Sequence, residues 1–191
     1  MALGWALIST GKHADALIAP AIGLAEDTQF VAVYSREQER AEAFASKHGA
    51  QIASPSLETL VADSRVDAVF IASPNFLHAS YTRIAAQAGK HVLVEKPMAT
   101  RVAEAVEMVR TCRSYGVHLG VGFHLRHHPG HQEARRLIAD GALGIVPWCK
   151  RSGALASAGW QRYQPRLSWK RAQALGVRGG GNPSKSVAPG R

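Results

Sequence analysis

The chain predicts a doubly wound α/β fold built on a parallel sheet, and three observations carry that prediction. Apolar runs of strand length recur at Trp5–Ser9, Phe30–Tyr34, Ala68–Ala72, His91–Val94 and Leu119–Val121. Stretches with helical apolar spacing separate them. Short strands joined by helices cannot pair as hairpins; they pair in parallel through crossover connections.

Taken in order, Trp5–Ser9 ends in Thr10-Gly11, and His13–Leu24 follows with Ala16, Leu17, Ala21 and Leu24 at helical spacing. After Phe30–Tyr34, the stretch Glu37–His48 reads as a helix that stops near Gly49. His78–Ala88 reads as a helix with Tyr81, Ile84, Ala85 and Ala88 on one face, and Gly89 serves as its left-handed cap. Val102, Val106 and Val109 repeat at helical spacing behind Thr100 as N-cap and are expected in the core. Leu119–Val121 is a further strand, and Pro129–Ala139 is a helix ending before Gly141. Residues 1–144 are expected to form this one domain.

At 191 residues, 46% apolar and 19% charged, the chain is neither wholly disordered nor a membrane bundle. Its net charge of +9 invites a nucleic-acid reading, but the charge has a location. Residues 1–149 carry 14 basic and 14 acidic residues, whereas residues 150–191 carry nine basic residues and no acid. The excess is a property of the tail. Two cysteines, Cys112 and Cys149, are too few for a disulfide framework and fit a reducing, cytoplasmic setting. The apolar start Met1–Thr10 lacks a basic n-region and reads as a strand rather than a signal peptide. No run approaches about 18 apolar residues, so no membrane partner is expected.

The first strand feeds Ser9-Thr10-Gly11-Lys12-His13-Ala14 and then a helix. Such a turn can hold a pyrophosphate on backbone N–H groups, with an unliganded strand–helix turn as the alternative reading of this motif alone. Gly11 and Ala14 match the G-x-G-x-x-G/A pattern, while Ser9 replaces its first glycine and adds a Cβ to the tight turn. The second strand ends in Tyr34-Ser35-Arg36, with no acid until Glu37. A hydroxyl and a guanidinium at that tip suit a ribose 2′-phosphate, favouring NADP, with NAD as the alternative. Arg40, one turn on, adds a second positive group. The competing reading makes Ser35-x-x-Gln38 a capping box and Arg36 a solvated side chain.

The strand His91–Val94 delivers Glu95-Lys96-Pro97 to the carboxyl edge of the sheet, where open α/β sheets bind ligands. With Ala72-Ser73-Pro74-Asn75-Phe76-Leu77-His78 one strand earlier, this resembles the glucose–fructose oxidoreductase/inositol dehydrogenase (Gfo/Idh/MocA) family. The resemblance is colinear from about Leu3 to Gly144, through SREQERAEAFA, ASPNFLHA, AGKHVLVEKPMAT and GFHLRHHPGHQEARRLIADGALG. It implies a Rossmann-type domain and hydride transfer between a nicotinamide cofactor, NAD(P), and a sugar, polyol or related hydroxyl or carbonyl substrate. Lys96 is then the proton-relay lysine at the substrate oxygen, tuned by burial or a nearby cation; a surface lysine before a turn is the bland alternative. Pro97 shapes its turn, Glu95 lies near the ribose, and Ser73, Pro74, Asn75 and His78 line the nicotinamide side. Arg126, in Gly122-Phe123-His124-Leu125-Arg126, matches an arginine near the cofactor. His124, His127, His128 and His131 match a family segment without a metal, so none is expected there.

The resemblance further implies a second α/β domain that forms the substrate wall and often the homo-oligomer face. That domain supplies an acid and a histidine, commonly in a G-x-x-x-D-x-x-x-H-like segment. Ile145–Arg151 reads as its first strand, but no Asp, Glu or His follows Asp140. Residues 145–191 therefore read as a vestigial start of that domain and a Gly-rich basic tail, expected to be disordered and consistent with a frameshifted or prematurely ended frame. Two functions stand side by side: an NADP-dependent oxidoreductase using Lys96, or an inactive remnant that binds nucleotide. Nucleic-acid binding through the tail is disfavoured, because no aromatic platform or motif accompanies the charge.

Overall fold

The structure, a computed structural model, describes residues 2–145. Its strands are β1 (Leu3–Ile8), β2 (Thr28–Tyr34), β3 (Ile52–Ser54), β4 (Ala68–Ile71), β5 (His91–Val94) and β6 (Leu119–Val121). All pair in parallel, in the order β3-β2-β1-β4-β5-β6. The helices are α1 (Ala19–Leu24), α2 (Gln38–His48), α3 (Leu57–Ala62), α4 (His78–Gln87), α5 (Val102–Ser114) and α6 (Pro129–Ala139). A π-helical turn, Ala14–Ile18, leads into α1, and 3-10 turns occupy Asn75–Leu77 and His124–His127.

Side chains alternate across a strand, and that alternation sorts the apolar residues into two cores. Ala6, Ile8, Val69, Ile71, Val92 and Val94 face Leu57, Leu60 and Val61 of α3, Ala85 and Ala86 of α4, and Met108 and Cys112 of α5. Leu7, Val33 and Phe70 face Ala14, Ala19 and Ile22 on the other side, with Phe44 and Ala45 of α2. Helices thus cover both faces, as a doubly wound parallel sheet requires. The described residues divide into two units after His127. In the second, His128 caps α6 by accepting from the Gly130 N–H, and Arg136 bridges Glu133 and Asp140.

Several local expectations are corrected. The pair β3 and α3 escapes periodicity because it is only three and six residues long; Ser56 caps α3 by accepting from the Thr59 N–H at 3.2 Å. In the first helical stretch the inward residues are Ala14, Ala19 and Ile22, while Leu17 and Leu24 are exposed. The inward face of α4 holds His78, Thr82, Ala85 and Ala86, leaving Ala88 outside; Gly89 has the expected positive φ of 74°. Val102, Val106 and Val109 are not core: Val102 is 82% and Val106 42% exposed, because Met108 and Cys112 occupy the face turned to the sheet. The N-cap of α5 is Arg101 rather than Thr100, with the Glu104 carboxylate accepting from the Arg101 and Thr100 N–H groups. Apart from Ile145, which is exposed, the expected strand Ile145–Arg151 and the basic tail lie outside the described residues. Among the described residues no helix is long and apolar enough to cross a membrane.

Three polar contacts bear on stability. Gly4 donates to Asp67 Oδ2 at 2.7 Å, and a Cβ on Gly4 would run into the Arg65 carbonyl oxygen. Gly4→Ala is therefore expected to cost about 1–3 kcal/mol in urea unfolding, because the backbone must shift to admit the methyl group. Asp63 accepts from the Arg65 guanidinium at 2.8 Å and from the Arg65 N–H at 2.9 Å, and these bonds pull its pKa down to about 2. Asp15 is likewise lowered, by Lys47 and then His48 at the end of α2. A carboxyl lowered in the folded state stabilises above its unfolded pKa of about 4 and loses that contribution as pH falls towards the folded value. Stability should fall between about pH 4 and pH 2, and Asp63→Asn should flatten that limb; an unchanged slope would contradict the assignment.

Candidate functional site

Parallel strands deliver their carboxyl ends to one edge, and β1 sits between β2 and β4, so the chain leaves that edge in opposite directions on either side. At this switch point lies an open cavity of about 230 Å³. Its floor is Ile8, Ser9, Thr10 and Gly11 after β1. Tyr34, Ser35, Arg36 and Arg40 form one wall, and Ser73, Pro74, Phe76, Leu77 and Tyr81 form the other.

The first turn is held by its own serine. Ser9 Oγ accepts from the Gly11 N–H at 3.0 Å, and the Thr10 hydroxyl donates to Ser35 Oγ at 3.3 Å, joining the β1 and β2 loops. Ala14 is fully buried, so it serves close packing beneath the turn and presents nothing to a ligand. Lys12 is exposed and outside the cavity lining. At the tip of β2, Ser35 is buried, and its hydroxyl faces the Glu37 N–H at 3.5 Å. The alternative capping box does not form: Glu37 is the N-cap of α2 and Gln38 turns to Glu42. Arg36 is exposed and makes no ion pair among the described residues, whereas Arg40 reaches Glu37 at 3.5 Å.

Tyr34 and Tyr81 face one another across this cavity with hydroxyls 3.5 Å apart and rings edge-on. Burial, and then the Tyr34 hydroxyl, push the Tyr81 phenol up to about 12. Tyr34, Phe76, Leu77 and Tyr81 are lining residues that sequence reasoning did not assign to the site. The available signal was positional, since Tyr34 ends a strand and Tyr81 lies one turn into the helix after β4.

The other predicted residues gather beyond the cavity lining, around the ends of β4 and β5. His13 Nε2 lies 3.0 Å from Glu95 Oε1, and Glu95 Oε2 accepts from the Lys96 N–H at 3.0 Å. Lys96 itself is exposed, its Nζ unbonded among the described residues, and the Lys96-Pro97 peptide is cis. The burial expected of a proton-relay lysine is thus not supplied by residues 2–145. Asn75 is exposed and opens a 3-10 turn. His78 is not a cleft-lining residue: it is fully buried, with Nδ1 2.9 Å from the Pro97 carbonyl oxygen and Nε2 3.0 Å from that of Ser73. Its place at the start of α4 turns the ring inward, beneath the loops rather than into the cleft. Arg126 is exposed after β6, its guanidinium 5.7 Å from the Phe123 ring centroid. Among the described residues no three His, Cys, Asp or Glu side chains form a group that could hold a metal ion.

The switch-point cavity offers what the phosphates of a dinucleotide require: a turn of backbone N–H groups, a guanidinium without an ion-pair partner among the described residues at one end, and ring surface opposite. Comparisons with known proteins point the same way. Residues 3–123 match an oxidoreductase family with an NAD-binding Rossmann fold, GFO_IDH_MocA. The 1,5-anhydro-D-fructose reductase of Ensifer adhaerens is 40% identical over 140 residues, covering 73% of this chain and 42% of that protein. The scyllo-inositol 2-dehydrogenase (NADP(+)) IolU of Bacillus subtilis is 39% identical over 186 residues, covering 91% of this chain and 55% of that protein. The 3-ketoreductase KijD10 of Actinomadura kijaniata, solved in complex with NADP, superposes with a TM-score of 0.71 at 29% identity, covering 76% of this chain and 46% of that one. The chain spans about half the length of these relatives. With the family's pattern extending over residues 3–123 and its switch-point site in place, the chain belongs to the Gfo/Idh/MocA oxidoreductase family and carries its NAD(P)-binding Rossmann domain.

Proposed function

We propose that the chain contributes the cofactor domain of an NADP-dependent oxidoreductase that acts on a hydroxyl or carbonyl carbon of a sugar, polyol or related small molecule. The observation that carries the choice of NADP is Arg36: an exposed guanidinium without an ion-pair partner among the described residues, beside the Ser35 hydroxyl. An Asp or Glu at that tip would instead accept from a ribose 2′-OH and repel a 2′-phosphate. Support also comes from IolU, named for NADP(+), and KijD10, solved with NADP.

In this reading the Ser9–Gly11 turn holds the pyrophosphate. A charged phosphate oxygen is a stronger acceptor than Ser9 Oγ for the Gly11 N–H. Ser35, Arg36 and Arg40 hold the 2′-phosphate, and Ser73 and Pro74 flank the opposite wall. The bound nicotinamide supplies hydride donation or acceptance. Lys96 holds or moves the proton at the substrate oxygen, and exclusion of water there falls to the substrate or to residues outside 2–145. Arg126, stacked on Phe123, borders the loop after β6. The low cysteine content supports cytoplasmic residence.

A binding-only reading of residues 1–191 rests on one observation: Lys96 is exposed, and its Nζ makes no bond among the described residues. The two readings separate in one experiment. NADPH fluorescence should report binding, followed by assay against a panel of sugars and polyols. Binding without turnover supports the binding-only reading, turnover supports the oxidoreductase reading, and no binding contradicts both. Arg36→Ala should weaken NADPH binding about tenfold while changing NADH binding less than about twofold, as expected for losing a charge-assisted bond to one phosphate. Equal losses for both cofactors would contradict the 2′-phosphate assignment.

A further inference from the structure

We propose that His13 and His78 are positioning residues that bracket the Lys96 backbone from two sides, so that the pyrophosphate turn and the β4 loop together set the pose of the lysine. The inference rests on the cofactor reading above and deepens it. His13 belongs to the turn after β1 and Glu95 follows β5, with β4 lying between those strands in the sheet. The imidazole nonetheless reaches Glu95 Oε1 at 3.0 Å, so this contact bridges over the end of β4. Glu95 is 9% exposed, and its second oxygen takes the Lys96 N–H. One carboxylate therefore spends both oxygens between a side chain of the first loop and the backbone of the lysine.

Gly122, after β6, leaves the room for it. A Cβ there would sit 3.3 Å from Glu95 Oε1 and 3.5 Å from its Cδ. On the far side of Lys96, the Pro97 carbonyl meets His78, whose other ring nitrogen faces the Ser73 carbonyl. Both partners only accept, so the ring donates to one of the two loops in either tautomer. His78 is fully buried, and each ring nitrogen needs a partner there. Neither histidine lines the cavity; each ties a loop that does, the β1 turn or the β4 loop, to the β5 loop at Glu95–Pro97.

The experiment compares NADPH with 2′-phospho-ADP-ribose, which keeps the pyrophosphate and the 2′-phosphate and lacks the nicotinamide. In His13→Ala, NADPH affinity should fall about tenfold while affinity for 2′-phospho-ADP-ribose changes less than about twofold, with His13→Gln recovering most of the loss. Gly122→Ala, which presses on Glu95 without touching His13, should show the same split, and so should His78→Gln. Equal losses for both ligands would make His13 a phosphate ligand and overturn the proposal, as would no loss for either. Exchange of the Lys96 amide in the ligand-free chain reads the bracket independently of any cofactor. It should speed up at least about tenfold in His13→Ala and Gly122→Ala, and unchanged exchange overturns the bracket. Failure of the unsubstituted chain to bind NADPH overturns the cofactor reading alone, and amide exchange then decides the bracket.

Discussion

The parallel direction of all six strands is the constraint on which everything else depends. It brings the ends of β1, β2, β4, β5 and β6 to one edge, and with them Ser9, Ser35, Ser73, Glu95 and Gly122. A strand running antiparallel would send its own residue to the opposite edge. The apolar content of the strands makes this arrangement stable, because Leu7, Val33 and Phe70 supply one core while Ile8, Ile71 and Val94 supply the other. With both faces buried, the loops at the edge are left to carry polar chemistry.

Those loops are joined to one another by few and specific contacts. Thr10 meets Ser35 between the β1 and β2 loops, His13 meets Glu95 between the β1 and β5 loops, and His78 joins Ser73 to Pro97. The site is therefore a connected rim rather than a set of separate turns. Its two ends differ in character. The Arg36 end is open, cationic and faced by Tyr81 and Phe76, which suits a phosphate beside a flat ring. The Lys96 end is ordered beneath by buried histidine and carboxylate and exposed above.

Most of the frame was legible because its elements are long enough to show a period or end in a recognisable stop. His91–Val94 and Pro129–Ala139 have the expected bounds, and Gly89 is left-handed as its position implies. Three- and six-residue elements such as β3 and α3 carry too few apolar positions to register. The valines of α5 mislead because spacing identifies a shared face without saying which way it turns; Met108 and Cys112 win by facing the sheet. The same ambiguity explains His78, whose strand-end motif marks its neighbourhood while only burial shows the ring beneath the loops. Tyr34 and Tyr81 become a pair through contact across 47 residues, which no local pattern contains.

The central claim is that the cation at the end of β2 receives a ribose 2′-phosphate. Phosphorus NMR of NADP titrated with the protein observes that group directly and separately from the pyrophosphate. A saturable shift and broadening of the 2′-phosphate resonance is expected, together with those of the two pyrophosphate resonances. Pyrophosphate resonances that respond while the 2′-phosphate stays at its free position would contradict it.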